Sequence, residues 1–210
     1  MELTQAISGG IQELGLDVTK EQLQQFERII EQLIKWNKAY NLTAIRDPQQ
    51  MIITHLLDSL AIAPFMAQGR LLDIGTGPGF PGIPLAIYEP KRDYSLLDSN
   101  GKKTRYLKQL VYDMSLSQVS VVDTRVEEWQ PDTLFDVIVS RAFASLEKMV
   151  SLSHHLLAET GVWQAMKGEY PEQELAALPD YVELVKVDVI SVPKLNAERH
   201  LVTLRKKASS

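Results

Sequence analysis

At 210 residues, with 45% hydrophobic and 23% charged residues and only 11 Gly and 10 Pro, the chain has the composition of a soluble globule with one core and room for an appendage, which excludes collagen-like, low-complexity and disordered classes. Its 22 Lys and Arg against 27 Asp and Glu give a net charge of −5, so a uniformly basic nucleic-acid binder is excluded and any polyanion must meet a local basic patch. The lack of cysteine removes disulfide scaffolds, Cys-ligated metal centres and thiolate nucleophiles.

Residues 1–19 carry no Lys or Arg, so the charged start of a secretory signal is missing. From Thr19 onward Leu23, Phe26, Ile29, Ile30, Leu33 and Ile34 recur at three- and four-residue spacing, which predicts an amphipathic helix, and Thr19 with Gln22 fits a capping box at its start. Asp47-Pro48 reads as an N-cap with proline in the first turn, opening a second helix through Met51, His55, Leu56 and Leu60. The longest uninterrupted apolar run, 60–67, is far short of the roughly 18 residues that span a bilayer, so a cytoplasmic protein is expected. Residues 1 to about 66 are expected to be helical throughout, with 1–68 forming a helical extension and 69–210 the main domain.

At Arg70 the pattern changes. Short apolar runs at 70–74, 94–97, 119–122, 136–139 and 161–166 alternate with helical patterns at about 82–89, 102–115 and 145–158, which predicts an α/β fold with a parallel sheet covered on both faces. Residues 181–190 and 199–206 alternate apolar and polar around a loop with Pro193, and are expected to close the sheet as an antiparallel hairpin.

The segment Leu71-Leu72-Asp73-Ile74-Gly75-Thr76-Gly77-Pro78-Gly79-Phe80-Pro81-Gly82 ends a strand, turns through glycines and opens a helix whose N-terminal amides can face a ligand. Gly77-x-Gly79-x-x-Gly82 also satisfies the dinucleotide pattern, with Asp98 following Gly77 by 21 residues at a spacing that suits a ribose hydroxyl. Two features argue for a ligand without phosphates. Asp73 places a carboxylate two residues before the first glycine, and Pro78 and Pro81 remove amide donors from the loop.

With these blocks the chain resembles the class I S-adenosylmethionine-dependent methyltransferases, and more narrowly the glucose-inhibited division protein B family of bacterial small-subunit (16S) rRNA guanine-N7 methyltransferases. The resemblance also rests on Lys35-Trp36-Asn37-Lys38-Ala39-Tyr40-Asn41-Leu42-Thr43, His55-Leu56-Leu57-Asp58-Ser59, Leu97-Asp98-Ser99, Arg125-Val126-Glu127-Glu128, Ser140-Arg141-Ala142-Phe143-Ala144 and Glu198-Arg199-His200, in that order over nearly the whole chain. It implies a Rossmann-like sheet binding S-adenosyl-L-methionine. Gly75 and Gly77 would then face its methionine part, Phe80 pack at the following turn, Asp98 accept from the ribose, Val126 and Glu127 flank the adenine, and Arg141 complete the cofactor site.

Without cysteine, methylation at pyrimidine C5 through a thiolate is excluded. Ser140-Arg141-Ala142-Phe143-Ala144 stands where enzymes acting on exocyclic amines carry Asn- or Asp-Pro-Pro-aromatic, so a ring nitrogen with a free lone pair is the simpler target. Guanine N7 has no proton to lose, and no indispensable general base is expected. A small-molecule methyltransferase is the alternative, followed by an NAD-dependent dehydrogenase or a non-catalytic RNA-binding module. The expected partner is small-subunit rRNA, naked or within a ribosomal particle, and a monomer is expected. Lys35, Lys38, Arg46, Arg199, Arg205, Lys206 and Lys207 are candidates for RNA contact. Lys102, Lys103, Arg105 and Lys108 form one helix face, either solvated or a contact surface. Arg141 could instead pair with a carboxylate such as Asp73, and His55 and His200 read as structural histidines. His154-His155 lacks a third ligand at metal-site spacing, so no metal is expected.

Overall fold

The computed structural model describes residues 2–208; Met1, Ser209 and Ser210, which the expected domain limits include, lie outside the described residues. Helix α1 (Glu2–Glu13) leads to α2 (Lys20–Tyr40), which starts at the anticipated box. Gln22 N donates to Thr19 Oγ1 at 3.2 Å and Thr19 N donates to Gln22 Oε1 at 2.9 Å. The side-chain Nε2 of Gln22 also donates to the carbonyls of Ile87 and Tyr88, joining α2 to the segment after the first strand. Asn41, in the left-handed region at φ 50°, ends α2.

The expected unbroken helicity to residue 66 does not hold. Residues 41–47 run as loop, and Asp47 then caps α3 (Pro48–Met51) by accepting from Gln50 N at 2.8 Å. The chain widens into a π-helical turn at Ile52–Leu57 before α4 (Asp58–Leu60). Such turns re-aim side chains and recur at functional sites.

Strands β1 (Leu71–Ile74), β2 (Tyr94–Asp98), β3 (Val119–Asp123), β4 (Phe135–Arg141), β5 (Leu157–Lys167), β6 (Val182–Val189) and β7 (His200–Lys206) form one sheet in the order β3-β2-β1-β4-β5-β7-β6. β1 to β5 pair in parallel, while β7 runs antiparallel between β5 and β6, as the alternating tail anticipates. Between the strands lie α5 (Gly82–Tyr88), α6 (Gly101–Asp113), α7 (Leu146–Ser153) and, unanticipated, the short α8 (Glu172–Ala176). The pattern expected as helix to 158 stops at Ser153, whose hydroxyl donates back to Met149 O and accepts from Trp163 Nε1; a 3-10 turn, His154–Leu156, then delivers Leu157 to the ladder opposite Phe135.

Strand alternation decides which side chains meet. Leu71, Leu96, Val137, Val139 and Leu201 point to the face covered by α1, α2, α5 and α6, in one apolar cluster with Ile7, Phe26, Leu33 and Leu60. Leu72, Ile74, Ile138 and Trp163 point to the other face, against Leu146, Met149 and Val150 of α7. By the same alternation Asp73, Arg141 and Arg199 fall on the side of the N-terminal helices. The strand order reverses between β1 and β4, and in such sheets the crevice beyond the carboxyl ends at that point is where ligands bind.

Candidate functional site

After β1 the chain passes through Gly75, Gly77 and Gly79 at φ +66°, +62° and +98°, a left-handed path that side-chain-bearing residues adopt at a cost. Gly75 N and Thr76 N donate to Leu97 O, drawing the loop onto the end of β2. The Oδ2 atom of Asp73 accepts from Thr76 Oγ1 at 2.7 Å and from Gly82 N at 2.8 Å, which ties the strand to the start of α5. Its Oδ1 is buried without a partner. Burial dominates and pushes the Asp73 carboxyl up to about 7, against the lowering effect of those bonds and of Arg141. Asp98 accepts from Gly77 N at 2.9 Å and from Asn100 N at 2.8 Å, with Lys103 Nζ at 3.9 Å.

Gly75, Leu97, Asp98, Val126, Glu127 and Phe143 line a cleft of about 410 Å³, within the usual size of small-molecule sites. Val126 and Glu127 reach it from a single 3-10 turn after β3. Gly77 is joined to this cleft through its bond to Asp98. Phe80 lies behind the loop: it is buried, and its ring stacks on His55 at 5.1 Å between centroids. Arg141 lines a neighbouring cleft of about 490 Å³ with His55, Asp58, Lys167 and Arg199, and residues 142–144 wall both.

Arg141 does pair with a carboxylate, but that of Asp58 rather than Asp73. Its Nη1 lies 3.3 Å from Asp58 Oδ2 and donates to Thr54 O at 2.7 Å, while Arg199 Nε reaches Asp58 Oδ1 at 2.8 Å. One carboxylate, 3% exposed, therefore bridges two guanidinium groups. Thr54 and His55 of the wide turn and Asp58 at the start of α4 line this cleft together. Arginine only donates, so His55 Nδ1, 3.1 Å from Arg141 Nη2, must accept; the ring proton then sits on Nε2, 2.9 Å from Thr43 Oγ1. Burial, reinforced by Arg141, holds His55 down at about 3, so it is neutral at ordinary pH.

Sequence reasoning missed Asp58 as the hub, although a carboxylate within the apolar run around Leu56, Leu57 and Leu60 was a readable signal. It also missed the clasp on the loop after β4: Lys167 Nζ donates to Ala144 O and to Glu174, whose Oε2 accepts from Leu146 N at 2.6 Å. The expected cationic patches divide. Arg199 lies at the site end, but β7 runs away from it, carrying Arg205, Lys206 and Lys207 to the opposite end of the sheet, about 20 Å off. There Arg205 pairs with Glu183, and Lys206 donates to Leu157 O. Lys103, Arg125 and Lys148 instead line the first cleft. His200 Nδ1 donates to Gly168 O, and among the described residues no group of three or more acidic, His or Cys side chains could hold a metal. No helix among them is long and apolar enough to cross a membrane.

The family model described as rRNA small subunit methyltransferase G matches residues 22–202. The ribosomal RNA small subunit methyltransferase G of Aeromonas salmonicida is 48% identical over 195 residues, 93% of this chain and 94% of that protein. That of Escherichia coli O1:K1 is 45% identical over 195 residues, again 93% and 94%. Among solved structures, a TehB-like SAM-dependent methyltransferase from Corynebacterium glutamicum superposes with a TM-score of 0.54 at 21% identity, covering 72% of this chain and 88% of that one. TrmN from Thermus thermophilus gives 0.56 at 16% identity, covering 81% and 53%. These likenesses establish the fold.

Proposed function

The chain belongs to the rRNA small subunit methyltransferase G family, and we propose that it transfers a methyl group from S-adenosyl-L-methionine to N7 of a guanine in small-subunit rRNA. The observation that carries this reading is the pair of clefts that share one wall where the strand order reverses. The first fits a cationic amino-acid nucleoside: Asp98 and Glu127 line it, and Asp73 beneath the glycine loop keeps an oxygen unpartnered. When bound there, the cofactor supplies an electrophilic methyl group on a sulfonium. Asp98 would hold its ribose, Val126 and Glu127 its adenine, and the loop of Gly75 and Gly77 its methionine part. Phe80 and Arg141 would act as backing, the first through His55 and the second from the adjoining cleft.

The second cleft presents Arg141 and Arg199 with orientations fixed by Asp58. Fixed guanidinium donors suit a guanine carbonyl or an adjoining phosphate. Transfer forms the N7–methyl bond and breaks the sulfur–methyl bond. Positive charge passes from sulfur to the purine and no proton leaves. The residues of the chain therefore bind, orient and exclude water, without a base among them.

Lys103, Arg125 and Lys148 around the first cleft would take RNA phosphates on the same face. The helices before Arg70 would act as an extension of a main domain starting near residue 69, and the enzyme as a cytoplasmic monomer working on rRNA or an assembling subunit. Incubation of the purified chain with labelled cofactor and 16S rRNA, free and in 30S particles, tests this, with the product mapped by mass spectrometry. A single 7-methylguanosine is expected. A label on a small molecule, at another base atom, or nowhere would overturn it.

A further inference from the structure

The ring of Phe143 sits where the two clefts adjoin. It lies so close on Gly75 that a Cβ there would stand 2.5 Å from Phe143 Cδ2. Between Ala142 and Ala144 it is the only large side chain of the segment that walls both clefts. The backbone is fixed on either side of the ring. Arg141 is held by Asp58, His55 and Thr54, while Lys167 holds Ala144 O and Glu174 holds Leu146 N. Ala142 turns through the left-handed region at φ 54° to carry the chain across, which a non-glycine residue does only where its surroundings enforce it. The ring is half-buried against the apolar cluster that includes Ile74 and Leu146, with only alanines beside it in the chain.

Charge explains why an aromatic ring is wanted there. Methyl transfer leaves the purine cationic, and neither Arg141 nor Arg199, both positive, attracts that new charge. An aromatic face does, and it also stacks on the neutral base beforehand. Because the attraction grows as charge reaches the purine, it speeds the chemical step as well as binding.

We propose that Phe143 is the positioning residue of the transfer: its ring leaves Gly75 when the first cleft is filled and becomes the wall of the second cleft on which the target guanine stacks. This deepens, and rests on, the cofactor and guanine reading above.

The experiment uses the full chain with S-adenosylmethionine and its rRNA substrate, comparing wild type with Phe143→Tyr, Phe143→Leu, Phe143→Ala and Phe143→Trp. Wild type that neither binds the cofactor in calorimetry nor methylates RNA would overturn the underlying reading and this proposal together. With wild type active, cofactor Kd is expected to stay within about 3-fold in the Leu and Ala variants. Their single-turnover rate at saturating cofactor should fall by about 10- to 100-fold, the order of one lost base stack. Phe143→Tyr should restore most of the rate. In Phe143→Trp, the emission above the wild-type background should shift when cofactor is added without RNA. Leucine fills similar space, so it carries the test if the alanine variant fails to fold. A leucine variant as fast as wild type would overturn the proposal while leaving the cofactor reading intact. So would an added indole emission in Phe143→Trp that is indifferent to cofactor, or a loss confined to cofactor affinity.

Discussion

Replacing Asp58 by Asn keeps the size and planarity of the side chain and removes the one negative charge between Arg141 and Arg199. Asp58 is 3% exposed and the two arginine side chains are 18% and 24% exposed, so water restores little of what is lost. Taking one partner from a buried ionic set costs about 3–5 kcal/mol, because the remaining charges stay desolvated and uncompensated. Here the lower end is expected, about 3 kcal/mol. Arg141 keeps its bonds to Thr54 O and His55, and Arg199 keeps its bond to Glu198 O. In a chain of this length each 1 kcal/mol moves Tm by about 2–4 °C, so thermal unfolding should fall by roughly 6–12 °C. High salt should not remove the difference, since screening acts mainly on exposed charges. Adding Arg199→Ala to Asp58→Asn should cost less than the sum of the single changes, because the charge left unpaired is gone. A drop below about 2 °C, or a strictly additive double variant, would refute the bridging role of Asp58.

The raised Asp73 carboxyl, at about 7 against an ordinary 3.8, keeps a proton in the folded cofactor-free protein that the unfolded chain releases, so its contribution to stability falls as pH rises from about 4 through about 7. His55, held at about 3 against 6.5, gives the opposite slope below about 6.5, so the comparison of wild type with Asp73→Asn by thermal unfolding across pH isolates Asp73; parallel curves would refute the raised Asp73 carboxyl. Gly75→Val forces a side chain onto Phe143 at φ +66°, and should cost about 1–2 kcal/mol in backbone conformation. Calorimetry should show cofactor affinity down at least tenfold, and a folded variant with wild-type affinity would remove Gly75 from the site. Neutralising Lys103, Arg125 and Lys148 should flatten the salt dependence of rRNA binding by roughly 0.7–0.9 in log–log slope for each phosphate no longer neutralised, whereas Arg205→Ala with Lys207→Ala, at the far end of the sheet, should leave it unchanged; equal effects from both sets would reject a one-faced RNA interface. At saturating cofactor and RNA the single-turnover rate should be nearly flat from about pH 6 to 9, since N7 surrenders no proton and His55 is already neutral with its Nδ1 occupied; a histidine-like midpoint abolished in a folded His200→Gln variant would make His200 catalytic.

The elements legible in the sequence were those whose signal is local. The Thr19–Gln22 box starts α2 where the capping pattern puts it, and each short apolar run from 70–74 to 161–166 coincides with a strand. Continuous helicity across 41–47 was over-read from the regular apolar spacing on both sides. Nothing in the composition of 52–57 marks a π-helical turn, because the same residues would suit an ordinary helix. The strand β5 starts earlier than its apolar run, since Glu159 and Thr160 are exposed polar positions in the register shift between Leu157 and Val162, which an apolar pattern does not mark as strand.

The site was legible in proportion to how much of it depends on one strand end at a time. Gly75, Asp98, Val126 and Glu127 each stand at or just past the end of a parallel strand, and parallel strands in one sheet bring their carboxyl ends to one cleft, so motif position was enough to gather them. The partner of Arg141 depends on two further facts. Residues 137, 139 and 141 share a face by strand alternation, but which face of the sheet that is depends on how β4 sits between β1 and β5, and it meets Asp58 only because the N-terminal helices cover it. Phe143 required more still. Its role follows from β4 lying beside β1, which brings Phe143, two residues past the end of β4, against Gly75, the residue after Ile74, although 68 positions separate Gly75 from Phe143 in the chain. A single sequence reports what each segment prefers, but contacts between segments are created by strand order. Where that order reverses, local pattern is therefore least able to name the residues that decide the chemistry.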